Sequence, residues 1–192
     1  AEAAYQAETA AGNRCGRQDQ WAATHGGFNR FLFIADSAER LPFEPAPSAR
    51  KWLKKHLLIA HSGISHKSGD IQNRVWSRYD EGDAQVIEGL KAIRLSSRTM
   101  VDALQRDQRQ LVVEALNEVC RGIDLIDPSI HDPFRSVIDP LLSSGAVMAW
   151  KALGAGAGGC AALLCNPMQV SSVRSDIERL GWEIIDWNFE EE

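Results

Sequence analysis

Hydrophobic residues recur every three or four positions through the middle of the chain, which predicts amphipathic helices. One stripe runs from Val86 to Leu104 and a second from Val112 to Ile123. Residues 1–11, rich in alanine, glutamate and glutamine, also read as helical, as do residues 71–79. These stripes predict surfaces that face a core, and they indicate no chemistry by themselves.

Shorter apolar segments separated by glycine, proline and polar residues predict strands. Asp132 and Pro133 begin a further helix that Pro140 should kink or end, and a last helix should open at Asn166 and close at Gly181. Residues 36–50 hold three prolines and are predicted to be a connection. The predicted strands cover residues 28–34, 57–60, 147–153, 160–164 and 182–189. Many helices with late strands indicate an α+β fold.

The composition and charge argue against several classes of protein. The net charge of −5 over 192 residues argues against a nucleic-acid surface. The longest apolar run, residues 145–165, contains Lys151 and several glycines, so a membrane span is not expected, and residues 1–11 do not form a signal peptide. The four cysteines form no C-x-x-C pair, which indicates buried thiols in a reducing cytoplasm and no metal site. Because the chain lacks a starting methionine and opens in mid-pattern, we expect a fragment, a processed chain or a renumbered domain.

Residues 154–159 read G-A-G-A-G-G, which satisfies the G-x-G-x-x-G spacing of dinucleotide-binding loops. Such loops need glycine because backbone N–H groups approach an anion closely. The dinucleotide motif requires a helix after the loop, whereas residues 160–164 read as a strand. A glycine hairpin with a purely structural role is a further alternative. The P-loop pattern G-x-x-x-x-G-K-[ST] is absent from the sequence.

Residues 15–20 read C-G-R-Q-D-Q and precede a glycine pair at 26–27. Asp19, held in such a turn, could orient or accept a hydroxyl proton, and Arg17 could neutralise phosphate charge. Taken alone, the segment is more typical of a solvated turn with a capping aspartate.

Three segments in this order resemble the GHMP kinases, the group of galactokinase, homoserine kinase, mevalonate kinase and phosphomevalonate kinase. They are residues 15–27, the stretch H-S-G-I-S-H-K-S at 61–68, and K-A-L-G-A-G-A-G-G at 151–159. The likeness is strongest to the sugar 1-kinases of the heptose 7-phosphate and fucose type. It extends over nearly the whole chain.

The resemblance implies a fold and a set of site residues. The fold would be a ferredoxin-like C-terminal GHMP-kinase domain at 51–192, preceded by the last elements of the N-terminal kinase domain at 1–50. Asp19 would be the catalytic base or orienting group, with Arg17 as a second catalytic residue. The residues that would contact substrate or phosphate are Ser62, Gly63, Ser65, Ser68, Gly154, Gly156, Gly158 and Gly159.

The implied activity is transfer of a phosphoryl group from ATP, with Mg²⁺, to a sugar hydroxyl, with the anomeric hydroxyl as the expected acceptor. Four basic residues would hold a phosphate already on the sugar if the substrate is heptose 7-phosphate; they are Arg14, Arg17, His66 and Lys67. Scattered surface charge is the alternative interpretation of those four. The resemblance implies a cytoplasmic protein with no nucleic-acid or membrane partner.

The sequence departs from the family pattern in three places. The ATP-binding segment P-x-x-x-G-L-G-S-S is absent, so another chain or domain would have to supply that half of the site. Ala157 replaces a glycine of the third segment, and His66 stands where related sugar kinases often have arginine. A second hypothesis is therefore a half-kinase domain that binds another chain or a metabolite without catalysis.

Overall fold

The structure, a computed structural model, describes residues 1–12, 15–65 and 68–189. The helices of this part are α1 (Glu2–Ala10), α2 (Gln18–His25), α3 (Pro47–His56), α4 (Ser68–Asp80), α5 (Ala84–Gln105), α6 (Arg109–Ile126), α7 (Asp132–Ser143) and α8 (Val170–Arg179). The strands are β1 (Arg30–Ile34), β2 (Ser37–Leu41), β3 (Leu57–His61), β4 (Val147–Ala152), β5 (Cys160–Cys165) and β6 (Glu183–Ile185). A short 3-10 helix, Pro128–Ile130, joins α6 to α7.

Strands β3 to β6 form one antiparallel sheet in the order β4-β5-β3-β6. Helices α4 to α7 connect β3 to β4, a hairpin connects β4 to β5, and α8 connects β5 to β6. Each helical connection therefore passes over one strand, which is the split β-α-β arrangement of ferredoxin-like domains. The predicted α+β fold is confirmed.

The sheet is covered on both faces because the side chains of a strand alternate. On β5, Ala161, Leu163 and Cys165 join a core cluster with α7 and α8. Leu164 belongs to a second cluster, which α3, α5 and α6 complete. The glycine-rich loop leaves the sheet between β4 and β5, and Ala152 and Ala161 beside its two ends belong to the first of these clusters.

Helices α5 and α6 approach each other closely at a pair of glycines. A Cβ atom on Gly89 would lie 2.4 Å from the carbonyl oxygen of Gly122, so a side chain at either position would force the helices apart. Asp83 caps α5 by accepting from the Gln85 amide at 2.9 Å. The tight contact determines where the C-terminal half of α6 lies, and that half leads into the 3-10 helix beneath the glycine-rich loop.

The prediction of a plain connection at residues 36–50 is wrong, because this stretch contains β2 and the first turns of α3. Pro47 lies in the first turn of α3. Backbone N–H groups there have no partner within the helix, so proline costs no hydrogen bond. Trp52 of α3 is buried in the second core cluster. Strand β2 lacks a strong apolar pattern and forms by pairing with β1 in a separate two-stranded sheet.

Three other boundaries differ from the prediction. Helix α7 continues through Pro140 to Ser143, because packing of Ile138 and Leu141 into the core outweighs the lost backbone bond. Helix α8 begins at Val170, after a turn, and β6 ends at Ile185. The division into units at 1–50 and 51–192 stays a prediction.

In the part of the chain that is described, every helix is too short or too polar to cross a membrane.

Candidate functional site

The glycine-rich loop rests on the 3-10 helix. The Ala157 amide donates to the carbonyl oxygen of Ile130 at 2.7 Å. Gly156 is buried with φ 73°, and a Cβ atom there would lie 2.3 Å from Ile130 Cγ2. Glycine is therefore required at 156 both for its backbone conformation and for space. Because a strand follows the loop, the dinucleotide-binding alternative is wrong.

The segment after β3 clamps the other end of the loop. The backbone amide and the hydroxyl of Ser62 both donate to the Gly159 carbonyl oxygen, at 2.8 and 2.9 Å. The Gly159 amide in turn donates to the carbonyl oxygen of Ile64 at 3.0 Å. The second and third of the three predicted segments are thus in direct contact. Since Ser62 is 7% exposed and its hydroxyl is already bonded to the loop, its position suits a role in holding the loop.

The other predicted residues of this segment lie around that clamp. Gly63 and Ser65 are exposed, and Gly63 has φ 73°. Ser68 begins α4. Arg14, His66 and Lys67, three of the four residues predicted to hold a sugar phosphate, lie outside the described residues.

Asp19 lies in the first turn of α2 and is exposed. The helix has no buried residue and ends at Gly26, whose φ is 58°. Burial lowers the pKa of Lys151, and the carboxylate of Asp19 opposes this shift electrostatically. The first predicted segment is therefore brought to the strand that leads into the glycine-rich loop.

Arg17 points to a different part of the molecule. Its guanidinium donates to the Ala35 carbonyl oxygen at 3.1 Å and lies 3.8 Å from the Asp36 carboxylate, both in the turn between β1 and β2. It also stacks over the Tyr5 ring, 4.7 Å from the ring centroid. These contacts hold α2 to its neighbours, and the catalytic role of Arg17 stays a prediction.

Lys151 near the end of β4 was not among the predicted site residues. Its ammonium donates to the Ala152 carbonyl oxygen at 2.8 Å. Burial lowers the pKa of Lys151, which the nearby Cys120 and Asp19 partly oppose. A sequence signal did exist, because Lys151 is the single charged residue in the apolar run 145–165. A charge in such a run is either tolerated at a surface or placed for function.

A buried polar cluster lies beneath the same strand. The His131 ring is fully buried, contacts the Trp150 ring with centroids 4.5 Å apart, and its Nδ1 lies 2.8 Å from Asp124 Oδ1. Arg135 donates to the same carboxylate at 2.7 Å. Burial lowers the pKa of His131, and the charges of Arg135 and Lys151 act in the same direction, against Asp124. The histidines of the sequence do not show a ligand spacing, so no pattern predicted a role for His131.

Burial also raises the pKa of Cys120 to about 12, so its thiol is neutral at physiological pH. The thiol donates to the Trp150 carbonyl oxygen at 2.6 Å. His131 Nε2 is buried and has no hydrogen-bond partner among the described residues. The thiol and the imidazole behind Lys151 therefore add no negative charge, and the Asp124 carboxylate is paired with Arg135.

A cleft of about 230 Å³ opens between the first segment and the glycine-rich loop. Gly16 lines one side, Ala152 and Gly154 line another, and α4 and α6 contribute apolar residues and Trp76. A larger groove of about 840 Å³ lies between β1, β2 and α5, away from the predicted site residues that the structure describes. The smaller cleft is lined by residues of the first and third predicted segments, and the second segment contacts the glycine-rich loop beside it.

Mg²⁺ was expected with ATP. The described ranges contain no group of three histidine, cysteine or acidic side chains that could hold a metal ion. Asp19 alone does not fit as a complete magnesium site, since Mg²⁺ in kinases is bound largely by the nucleotide phosphates.

No family model matches the chain. Its sequence is 25% identical over 181 residues to D-glycero-alpha-D-manno-heptose 7-phosphate kinase of Campylobacter jejuni, a match that covers 92% of this chain and 52% of that protein. The chain thus spans about half the length of the curated relative it matches.

Solved structures give the same fold. A sugar kinase from Campylobacter jejuni superposes with a TM-score of 0.71 at 22% identity, covering 98% of this chain and 53% of that one. A D-glycero-D-manno-heptose 1-phosphate kinase from Bacteroides thetaiotaomicron gives 0.68 at 17% identity, over 95% and 48% of the two chains. Mevalonate kinase from L. major gives 0.62 at 19% identity, over 84% and 46%. The resemblance to the GHMP kinases that the three segments indicated is therefore confirmed, and the chain has the fold of that family.

Proposed function

We propose that this chain forms the acceptor side of an ATP-dependent sugar kinase. The observation that carries the proposal is that the first segment and the glycine-rich loop line one cleft, while Ser62 of the second segment is hydrogen-bonded to the loop. A loop of this kind presents backbone N–H groups whose positions are set before any ligand arrives, which is what a phosphate needs. The similarity to a heptose 7-phosphate kinase supports the same activity.

In the proposed step, the acceptor hydroxyl oxygen bonds to the γ-phosphorus of ATP while the bond from that phosphorus to the bridging oxygen breaks. ADP leaves, and the hydroxyl proton passes to the Asp19 carboxylate. The exposed position of Asp19 in the first turn of α2 leaves its carboxylate accessible to a substrate hydroxyl. Catalysis is mainly positioning and charge compensation.

The proposed acceptor is the anomeric hydroxyl of a sugar or sugar phosphate such as heptose 7-phosphate. The sequence lacks the P-x-x-x-G-L-G-S-S segment, so we propose that a further domain or chain supplies the ATP-binding half. We accordingly propose that residues 1–50 belong with that half and residues 51–192 form the C-terminal unit. The proposed location is the cytoplasm, which supplies ATP.

The test is an ATP-consumption assay of the full-length protein that contains this chain, with free heptose, heptose 7-phosphate and other sugars. Asp19→Asn should lower turnover by about 10²- to 10⁴-fold, since a positioned acid or base contributes that much. Its unfolding should not change, because the side chain is exposed. Asp102→Asn, an exposed aspartate on α5, is the matched control and should keep parental turnover.

Turnover of Asp19→Asn within twofold of the parent would refute the role of Asp19. Equal rates with free heptose and heptose 7-phosphate would refute a phosphate pocket formed by Arg14, Arg17, His66 and Lys67. The absence of the ATP segment favours a second candidate, a non-catalytic half-kinase domain. Complete lack of ATP consumption by the full-length protein, together with binding of a sugar phosphate, would support that candidate.

A further inference from the structure

We propose that Lys151 is a catalytic residue that binds oxygen atoms of the transferred phosphoryl group from the β4 side of the cleft. The inference rests on the proposed function and adds a residue to it. Nothing in the three-segment comparison gave Lys151 a role.

The position of Lys151 carries the proposal. It directly precedes Ala152, which lines the cleft together with Gly16 and Gly154. Its ammonium is turned back onto the Ala152 carbonyl oxygen, so the charge lies beside that lining residue. An ammonium has three donors, and this is the single hydrogen bond that it makes within the described part of the chain.

The charge of Lys151 lacks a close partner. In residues 1–12, 15–65 and 68–189, no carboxylate forms an ion pair with it. Besides Cys120, whose thiol is neutral, Asp19 is the group that acts on it electrostatically. Asp124 is already bonded to His131 and Arg135. A partly desolvated cation with no ion pair is costly, and an anion bound in the cleft would offset that cost.

The neighbours of Lys151 also favour a fixed position. The carbonyl oxygen of Trp150, the preceding residue, accepts a hydrogen bond from the Cys120 thiol. The Trp150 ring packs on the His131 and Phe134 rings. Strand β4 is paired with β5 at Lys151, opposite Ala162. Lys151 is therefore held by a rigid strand, whereas Asp19 approaches from a helix with no buried residue.

The first experiment uses the 192-residue chain and measures trace acetylation of each lysine by mass spectrometry, with and without inorganic phosphate or heptose 7-phosphate. At ligand concentrations ten times the Kd, labelling of Lys151 should fall by about tenfold, because the bound fraction is protected. Exposed Lys91 on α5 is the internal control and should not change. Labelling of Lys151 that neither ligand reduces would overturn the proposal.

The second experiment compares Lys151→Met, Lys151→Arg and Lys91→Met in the full-length kinase. Loss of one donor to a developing charge lowers kcat by about 10²- to 10³-fold, so Lys151→Met should lose that much while KM for the sugar changes little. Lys151→Arg keeps the charge and should recover part of kcat, which a merely structural role would not predict. Circular dichroism spectra and unfolding midpoints like the parent's would confirm that the variants are folded.

The two proposals fail in different ways. If the full-length protein transfers no phosphoryl group but phosphate still protects Lys151, the kinase proposal falls and the anion site stands. If Asp19→Asn abolishes turnover while Lys151→Met retains at least half of parental kcat, the kinase proposal stands and the role of Lys151 is refuted.

Discussion

The glycine-rich loop and the Asp19 segment face the same cleft but are supported very differently. The loop contacts Ile130 beneath it and Ser62 beside it, and two of its glycines are buried. The helix that carries Asp19 has no buried residue and is bounded by glycine on both sides. The cleft thus has a strongly held side, the glycine-rich loop, and a lightly held side, the Asp19 segment.

This difference matches what each side is proposed to do. Stabilising charge on a phosphate requires donors whose positions are set before the reaction, because reorganising them during the reaction raises the barrier. A base that receives a proton must reach the acceptor hydroxyl, and its final alignment often completes only when substrate is bound. The contacts of Arg17 with Ala35 and Asp36 are among the restraints on the lightly held side.

The largest expected change in the free energy of unfolding comes from adding one methyl group to the glycine-rich loop at Gly156. Gly156→Ala would place Cβ 2.3 Å from Ile130 Cγ2 in a left-handed backbone, whereas Cβ at Gly154 would meet nothing within 4 Å at a similar φ of 67°. We expect Gly156→Ala to lower the free energy of unfolding by about 3 kcal/mol, from overpacking and backbone strain together. Gly154→Ala, the matched control, should cost about 1 kcal/mol from strain alone.

Urea unfolding measures both values, and hydrogen exchange shows where the structure loosens. Amides around the loop and the 3-10 helix should lose protection in Gly156→Ala, and those of α2 should not. Equal destabilisation by the two alanine variants would contradict the close contact of Gly156 with Ile130.

A smaller effect should follow from lowering the pH. Burial lowers the pKa of His131 below its ordinary value, so the unfolded chain binds a proton that the folded chain does not. Stability should therefore fall as the pH drops from about 6.5 towards the folded-state pKa, by up to about 1.4 kcal/mol per pH unit for this one proton. Above about pH 6.5 both states are neutral at this residue, and the contribution is constant.

His131→Gln removes this titration. Its urea-unfolding free energy should be lower than the parent's at every pH, because packing on Trp150 is lost, but it should depend less on pH below 6.5. Parallel pH curves for the parent and His131→Gln would refute the assignment of this proton to His131.

The smallest expected effect is a gain in stability from the substitution Ala157→Gly in the glycine-rich loop. Ala157 has φ 57°, a conformation that costs an L-residue about 1 kcal/mol and glycine much less. Glycine also makes the unfolded chain more flexible, so we expect Ala157→Gly to stabilise the protein by only about 0.5 kcal/mol. Differential scanning calorimetry measures this gain, and a lowered melting temperature would mean that the alanine methyl group makes packing contacts of its own.

Much of the fold was accessible from periodicity and turn residues. Helices α5 and α6 and the strands on either side of the loop lie where the pattern predicts them. Two predictions based on prolines were wrong. Pro47 lies at the start of a helix, and Pro140 is tolerated inside a helix because burial of its neighbours compensates for the missing backbone bond. Strand β2 was missed because its partner, and not its own sequence, makes it a strand.

For the site, the sequence alone determined which residue types come in which order: an aspartate in a glycine-flanked turn, a serine-rich stretch and a glycine-rich loop. These are local features, and local conformational preference is what a sequence pattern reports. Only the tertiary structure brought the first and third segments to one cleft, bonded the second segment to the loop, and placed Lys151 and His131 in a desolvated interior. The reason is physical: burial, ion pairing and pKa depend on neighbours that are distant in the chain, such as Cys120 and Asp19 beside Lys151.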